Sequence, residues 1–392
     1  MTVSSSVRAG ARMGEVARAG GARRRGQRNS VQRATHGATD FRAARDGRGR
    51  RSSKGSPGWG AWSRRLAWGG VAWSSAGMGA RILVLGAGGG FGGAVAREFA
   101  ARGEAVRCLL RDPSRLPALE GLEPFAGDAQ DRSTLARAAE GVEVVVHAVS
   151  YPFPQWDPWM REATAKIVAT CREAGALLVF PGNVFGFGAQ TDRALAEDAP
   201  QEATTRKGRL RAELEFMIQR ACDDGRMRAL VVRSGDFFGP GLRGGLAERV
   251  FGRAAAGRPM RLPGRLSAPH QWAYLPDLAR LVADLVALGG ARAPFQPVHF
   301  AGHVFIRQSD FLAQVAAAAG HPGLAARTIP WWALRLAALV DPMARELLEL
   351  DYLFDEALIL DDPERRRLLP AFRQVPLAEA IAATLADWRG AA

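Results

Sequence analysis

Cysteine, tyrosine and lysine are all scarce in this 392-residue chain. The three cysteines, Cys108, Cys171 and Cys222, stand too far apart for a disulfide framework or a Cys-x-x-Cys metal site, so a reducing, cytoplasmic setting is expected. No run of about 18 apolar residues occurs, and the apolar core of a secretory signal is missing too, so no membrane partner is expected. Without a Gly-x-Ser-x-Gly string there is no nucleophile elbow for a Ser-His-Asp arrangement. His299 and His303 fall in "PVHFAGHVF", which reads as strand and turn with no carboxylate partner, so no metal site is expected.

Acidic residues are nearly absent from the first 77 positions. That stretch holds 16 Lys and Arg against 3 Asp and Glu, whereas the rest of the chain holds 37 against 36. The formal charge of +14 is therefore a property of the tail, and no nucleic-acid partner is expected for the folded body. Rich in Arg, Gly, Ala and Ser and without periodicity, residues 1–77 are expected to be disordered. A nucleic-acid or membrane-binding arm and an organelle transit peptide are two other readings of this stretch, with its "GWGAWSRRLAWGGVAW". The favoured one is a mis-called translation start, because Met78 stands directly before "GARILVLGAGGG".

From Arg81 the chain turns regular. "RILVLG", "AVRCLLR", "VEVVVHAV", "ALLVF" and "RALVVRS" read as buried strands, and helical patterns lie between them, around 131–140, 156–174 and 206–223. Strand and helix in alternation predict an α/β fold, a doubly wound parallel sheet covered on both faces. Gly86, Gly89 and Gly92 sit three apart at the first strand-to-helix turn. That spacing permits a tight turn, close approach of backbone to a pyrophosphate and close packing of helix on strand, with Phe91 between the last two glycines. The second strand ends at Arg111, whose planar fork of donors suits a 2′-phosphate, so NADP is expected in preference to NAD.

These residues resemble the short-chain dehydrogenase/reductase superfamily, in particular its extended and atypical branches of epimerase/dehydratase-like proteins. The match runs from about Gly79 to Asp277, through "GAGGGFG", "AGDAQDRSTLARAAEGVEVVVHAVS", "VVRSGDFFGPG" and "YLPDLA". The resemblance implies a Rossmann sheet with a smaller, mostly helical C-terminal substrate lobe, divided at about residues 78–235 and 236–392. It implies that Asp128 lies near the adenine, that His147, Ala148 and Val149 border the cofactor, and that Asp277 is structural.

The departures are as informative. Reductases of this superfamily use a Tyr and a Lys four residues apart, the Lys gripping ribose and lowering the Tyr pKa so that the phenol can pass a proton. Here the three tyrosines are followed at plus four by Gln155, Leu278 and Glu356, so no Tyr-x-x-x-Lys exists. "KGRLRAELE" stands where the motif belongs, with Lys207 in the Tyr position and Arg211 in the Lys position, and Asn183 of "PGNVFG" stands near the usual Ser. Lys207 is one of only two lysines past residue 77. It could act as acid or base if burial or neighbouring cations brought its pKa toward neutrality, and Arg211 could hold ribose hydroxyls. Tyr151, just past the fourth strand, is a second proton-donor candidate.

Beyond residue 236, helical patterns such as "LPDLARLVADLVALG" and "PWWALRLAALV" alternate with short strands. His270 is expected to pack in the lobe wall, and Trp331, Trp332, Tyr352 and Phe354 offer apolar area for a lid, a pocket or the core. The expected function is an NAD(P)-dependent oxidoreductase or epimerase/dehydratase-like enzyme on a small carbonyl or hydroxyl compound, in which a homodimer is plausible. A non-catalytic NADPH-binding redox sensor is the alternative.

Overall fold

A computed structural model describes residues 81–116, 119–190 and 193–390; the expectations for residues 1–77 and for Met78 lie outside the described residues. The first strand, β1 (Ile82–Leu85), is buried along its whole length, as a strand covered on both faces must be. It leads into α1 (Gly90–Ala101), which ends at Arg102 with Gly103 at φ +82° beyond it, a conformation that favours glycine. The chain continues through β2 (Val106–Leu110), β3 (Leu122–Ala126), α2 (Arg132–Ala138), β4 (Val144–His147), α3 (Trp156–Ala174), β5 (Leu177–Gly182), α4 (Arg206–Cys222) and β6 (Arg228–Ser234). Asp131 and Thr205 cap α2 and α4 by accepting from backbone amides of the first turn.

The remaining elements are β7 (Asp236–Phe238), α5 (Gly245–Ala247), α6 (Arg253–Ala255), β8 (Met260–Pro263), β9 (His270–Tyr274), α7 (Leu275–Ala287), β10 (Phe295–Phe300), β11 (His303–Phe305), α8 (Gln308–Ala318), β12 (Ala326–Ile329), α9 (Trp331–Ala337), α10 (Pro342–Leu348), α11 (Tyr352–Asp355), α12 (Pro363–Leu368) and α13 (Leu377–Gly390). Seven strands form one parallel sheet in the order β10-β6-β5-β4-β1-β2-β3. The chain winds outward from β1 to β3, then crosses to β4 on the other side of β1. That switch point opens a crevice at the C-terminal ends of β1 and β4.

Helices α1 and α7 cover one face, packing Val95, Phe99, Leu278 and Val282 on Val84 and Val146. Leu135, Ile167 and Leu214 of α2, α3 and α4 cover the other. A division at residue 235 is crossed by the sheet: β10 pairs with β6 over six residues, from Phe295 to Phe300. The lobe adds a three-stranded sheet (β11-β9-β7), a two-stranded ribbon (β12-β8) and a core built on Phe251, Trp272, Phe311 and Leu312, which α13 closes with Ile381 and Leu385. Among the described residues no helix is long and apolar enough to cross a membrane, and no group of three or more His, Cys, Asp or Glu could hold a metal ion.

Candidate active site

The glycine turn is set by close backbone approach. Gly86 adopts φ +86°, and a Cβ there would lie 2.5 Å from the Ala148 carbonyl oxygen at the exit of β4. A Cβ on Gly92 would lie 2.4 Å from the Gly86 carbonyl oxygen and 3.0 Å from Ala148 Cβ. Neither position accepts a side chain without moving backbone. Gly89 is different: it caps α1, donates to the Gly86 carbonyl at 3.0 Å, and a Cβ would meet nothing nearer than 3.4 Å. Two glycines thus hold turn and helix together while the third leaves a bare approach to the α1 N-terminus, whose first turn carries no acidic side chain. That cradle fits a dinucleotide pyrophosphate. Phe91 contributes no side chain to it, being buried with its ring 6.3 Å from that of Phe237.

At the end of β2, Arg111 is exposed, with no hydrogen bond or ion pair among the described residues. Its neighbour Asp112 accepts from the Ser114 amide and hydroxyl. Asp128 accepts from the Gln130 amide in a local turn. Tyr151 belongs to this side of the crevice. Its hydroxyl accepts from Gln130 Nε2 at 2.9 Å, Lys166 Nζ donates to the same residue's Oε1 at 2.9 Å, and burial pushes the phenol pKa up. The phenol therefore points toward Asp128 and Arg111, away from the start of α4.

Lys207, Arg211 and Glu215 stand at i, i+4 and i+8, one stripe of α4, and all three are buried. Glu215 Oε2 accepts from Arg233 Nε and Nη2 at 3.0 and 2.8 Å and from Gln201 at 2.7 Å. Arg233, in the "VVRSG" motif, also reaches the Glu197 carbonyl and His299 Nε2. This network fixes the rotation of α4. Arg211 lies 4.6 Å over the Phe180 ring and donates Nη2 to the Pro181 carbonyl, while its Nε has no partner. Burial brings its guanidinium pKa down to about 10. Beside it His147 bonds Thr164 Oγ1 through Nε2 at 2.9 Å, and burial holds its imidazole neutral, with the pKa down at about 3.

Lys207, only 3% exposed, is clamped. Its ammonium donates to Glu346 and Glu349 of the α10 region and sits 5.3 Å from the centre of the Phe153 ring. Arg206 joins the same two carboxylates, at 3.1 and 3.7 Å. Burial, one condition for the expected acid/base role, is met, but the ammonium itself faces two anions. A cleft of about 200 Å³ opens here between Trp156, Arg161, Lys207 and Glu346. Asn183, at the exit of β5, spends its side-chain oxygen on the Phe185 amide, and Tyr352 donates its hydroxyl to the Phe185 carbonyl.

The structure thus puts Lys207 and Arg211 on one stripe of α4, with Arg211 bonded to Pro181 two residues before Asn183; it joins Gly86, Gly89, Gly92 and Ala148 at the turn, and it links Asp128 and Tyr151 through Gln130, with Arg111 exposed at the end of β2. His270 lies in the lobe wall, 2.8 Å from Asp236 and stacked on Phe354. Asp277 is fully buried, joining α7 to the Val375 amide and Arg280. Glu346 and Glu349 escape sequence reasoning altogether: they lie about 140 positions from the lysine they hold. Lys166 was open to discovery, as the other lysine in an arginine-rich body.

The crevice, its turn and the parallel sheet define a dinucleotide-binding protein. Residues 86–210 match a family model described as NAD(P)H-binding. A 3-diazoavenalumate denitrifying reductase from a Streptomyces species is 34% identical over 194 residues, covering 44% of this chain and 62% of that protein; the chain thus spans about three fifths of the length of this curated relative. Among solved structures, dTDP-glucose 4,6-dehydratase from Streptomyces venezuelae with NAD bound superposes with TM-score 0.65 at 19% identity, over 79% of this chain and 97% of that one. UDP-glucose 4-epimerase from Thermus thermophilus with NAD gives 0.63 at 20% identity, over 80% and 100%. Residues 86–210 thus resemble the NAD(P)H-binding family, and the fold is shared with these NAD-bound dehydratase and epimerase structures.

Proposed function

We propose that the chain is an NAD(P)H-dependent reductase of a small molecule whose reaction needs no tyrosine acid. One observation carries this: the glycine cradle is intact, whereas Lys207, in the position of the tyrosine acid, is held in ion pairs with Glu346 and Glu349. Gly86, Gly89 and Gly92 would hold the pyrophosphate, Ala148 the middle of the dinucleotide and Asp128 its adenosine end. NADP is favoured over NAD because Arg111 is exposed and unpaired while the adjacent acid, Asp112, caps a turn. The bound dinucleotide supplies hydride at the C-terminal edge of the strands.

Hydride addition to a carbonyl leaves an alkoxide that must be protonated. Addition to a cationic acceptor, such as an aryl diazonium group that takes hydride and departs as N2, leaves no anion to protonate, and addition to a quinone leaves only a stable phenolate. The related reductase is named for a diazo compound and for removing its nitrogen, which supports the second class. A small carbonyl or hydroxyl compound remains in the reading if solvent supplies the proton. The clamp on Lys207 favours a second reading, a redox sensor that binds NADPH without turnover. The buried thiols fit a cytoplasmic setting.

The test is a fluorescence titration of the chain with NADPH and NADH, followed by an aryl diazonium salt, a quinone and an aromatic aldehyde while reduced-nicotinamide absorbance is followed. Micromolar NADPH binding with oxidation by the electron-poor acceptors is the expected result. Binding without oxidation by any acceptor would make the protein a sensor, and no binding of either nucleotide would sink both readings.

A further inference from the structure

The stretch "WWALRLAALV", residues 331–340, contains one charged side chain, Arg335. A helix apolar all round belongs inside a core or against lipid. Here only the inner stripe is covered: Leu334 of α9 and Ala338, its C-cap, pack on Ala344 of α10 in a small core of their own. The outer stripe is bare. Trp332 is 64% exposed, Leu339 75% and Val340 87%, and Leu336 and Met343 are exposed beside them around the hairpin tip.

The exposed charge on the flank of this ridge is basic, and the tip carries a single acid, Asp341. Arg335 is exposed within it, and on the ribbon that leads into α9, Arg327 pairs in register with Arg261, so both guanidinium groups leave the same face. Among the described residues none of the three makes an ion pair or side-chain hydrogen bond. The acids of α10 are turned inward, Glu346 and Glu349 being held by Lys207 and Arg206. Asp341, the one acid at the tip, accepts from the Met343 amide as a helix cap.

We propose that the α9–α10 hairpin docks on an anionic lipid surface, the apolar tip entering the interface while Arg261, Arg327 and Arg335 meet lipid phosphates. Five exposed large apolar side chains on one helical hairpin, a tryptophan among them, with a cationic flank suit shallow insertion into a bilayer. It is small for a stable protein interface, which uses roughly 20–30 residues a side. The absence of a spanning run bears only on crossing a membrane, not on lying against one. The ion pairs of Lys207 tie the docked hairpin to the candidate site.

The three cysteines of the chain are all buried, so Val340→Cys in the full chain can be labelled selectively with an environment-sensitive fluorophore. Vesicles of phosphatidylcholine with phosphatidylglycerol should shift the emission to the blue and raise it severalfold. Brominated acyl chains should quench it, and phosphatidylcholine alone should do much less. Leu336→Asp with Leu339→Asp should abolish the change, and Arg327→Glu with Arg335→Glu should weaken vesicle binding more than about tenfold at low salt. These positions are exposed, and thermal melts of each variant would confirm that it folds. A probe that stays in water with every vesicle overturns the proposal, including the case in which the chain binds vesicles through another segment. An emission change without lipid overturns it too: if it follows protein concentration, a second copy covers the ridge; if it is present at high dilution, another segment of the same chain does.

Discussion

The glycine turn and the first turn of α4 are built in opposite ways. At the glycine turn everything that matters is local or in the next strand. Residue type follows from backbone sterics, since Gly86 and Gly92 leave no room for a Cβ. At α4 the residue types are permissive, and function depends on distant partners: Lys207 on Glu346 and Glu349, Glu215 on Arg233 and Gln201. A family pattern persists where backbone geometry enforces it and drifts where side chains can be re-partnered.

Gly92→Val should break the first region outright. A Cβ that would sit 2.4 Å from a carbonyl oxygen forces turn and helix apart, so NADPH affinity should fall more than about 100-fold, with a lower melting temperature. Lys207→Met should instead leave nucleotide affinity within about threefold. A titration showing equal losses for the two variants would erase the contrast.

Within the second region, Arg233→Met leaves Glu215 buried without its partner and should cost about 3–5 kcal/mol in denaturant unfolding. A loss under about 1 kcal/mol would mean that the network does not set the position of α4.

Acid provides a graded version of the same test. Burial lowers the folded-state pKa of His147 to about 3 and of His299 to about 4, both below the ordinary value near 6.5. The unfolded chain therefore binds more protons, and stability present at neutral pH is lost as pH falls below about 6.5. The loss should reach the order of 3 kcal/mol per histidine by about pH 4. Unfolding midpoints at a series of pH values read this slope, and His299→Gln should flatten it.

Smaller effects sharpen the cofactor side. Arg111→Ala should reduce the NADPH-to-NADH affinity ratio about tenfold, and an unchanged ratio would remove the case for NADP. Tyr151→Phe should alter turnover less than about threefold, because its hydroxyl is held by Gln130 on the adenosine side.

The alternation of buried strands and helices was legible because each element announces itself over a short window: "ILVL" and "VVVH" are covered on both faces and show no alternation. The ends of α1, α3 and α4 could be read for the same reason. The return of β10 to the main sheet could not, since "FQPVHF" carries no mark of the strand it will join. The direction of the Tyr151 hydroxyl was equally hidden, being decided by Gln130 and by the backbone around Trp159.

The sequence by itself determined the doubly wound sheet, the glycine cradle and the loss of the tyrosine acid, because periodicity, backbone sterics and the absence of a residue are local facts. Tertiary structure alone decided that Lys207 is clamped by two glutamates, that α4 carries a buried charged stripe, and that α9 and α10 form a hairpin with a bare apolar ridge. Each of these depends on which surfaces meet in the folded chain, often across a hundred residues or more, and a buried charge or a bare apolar side chain takes its meaning from what lies opposite.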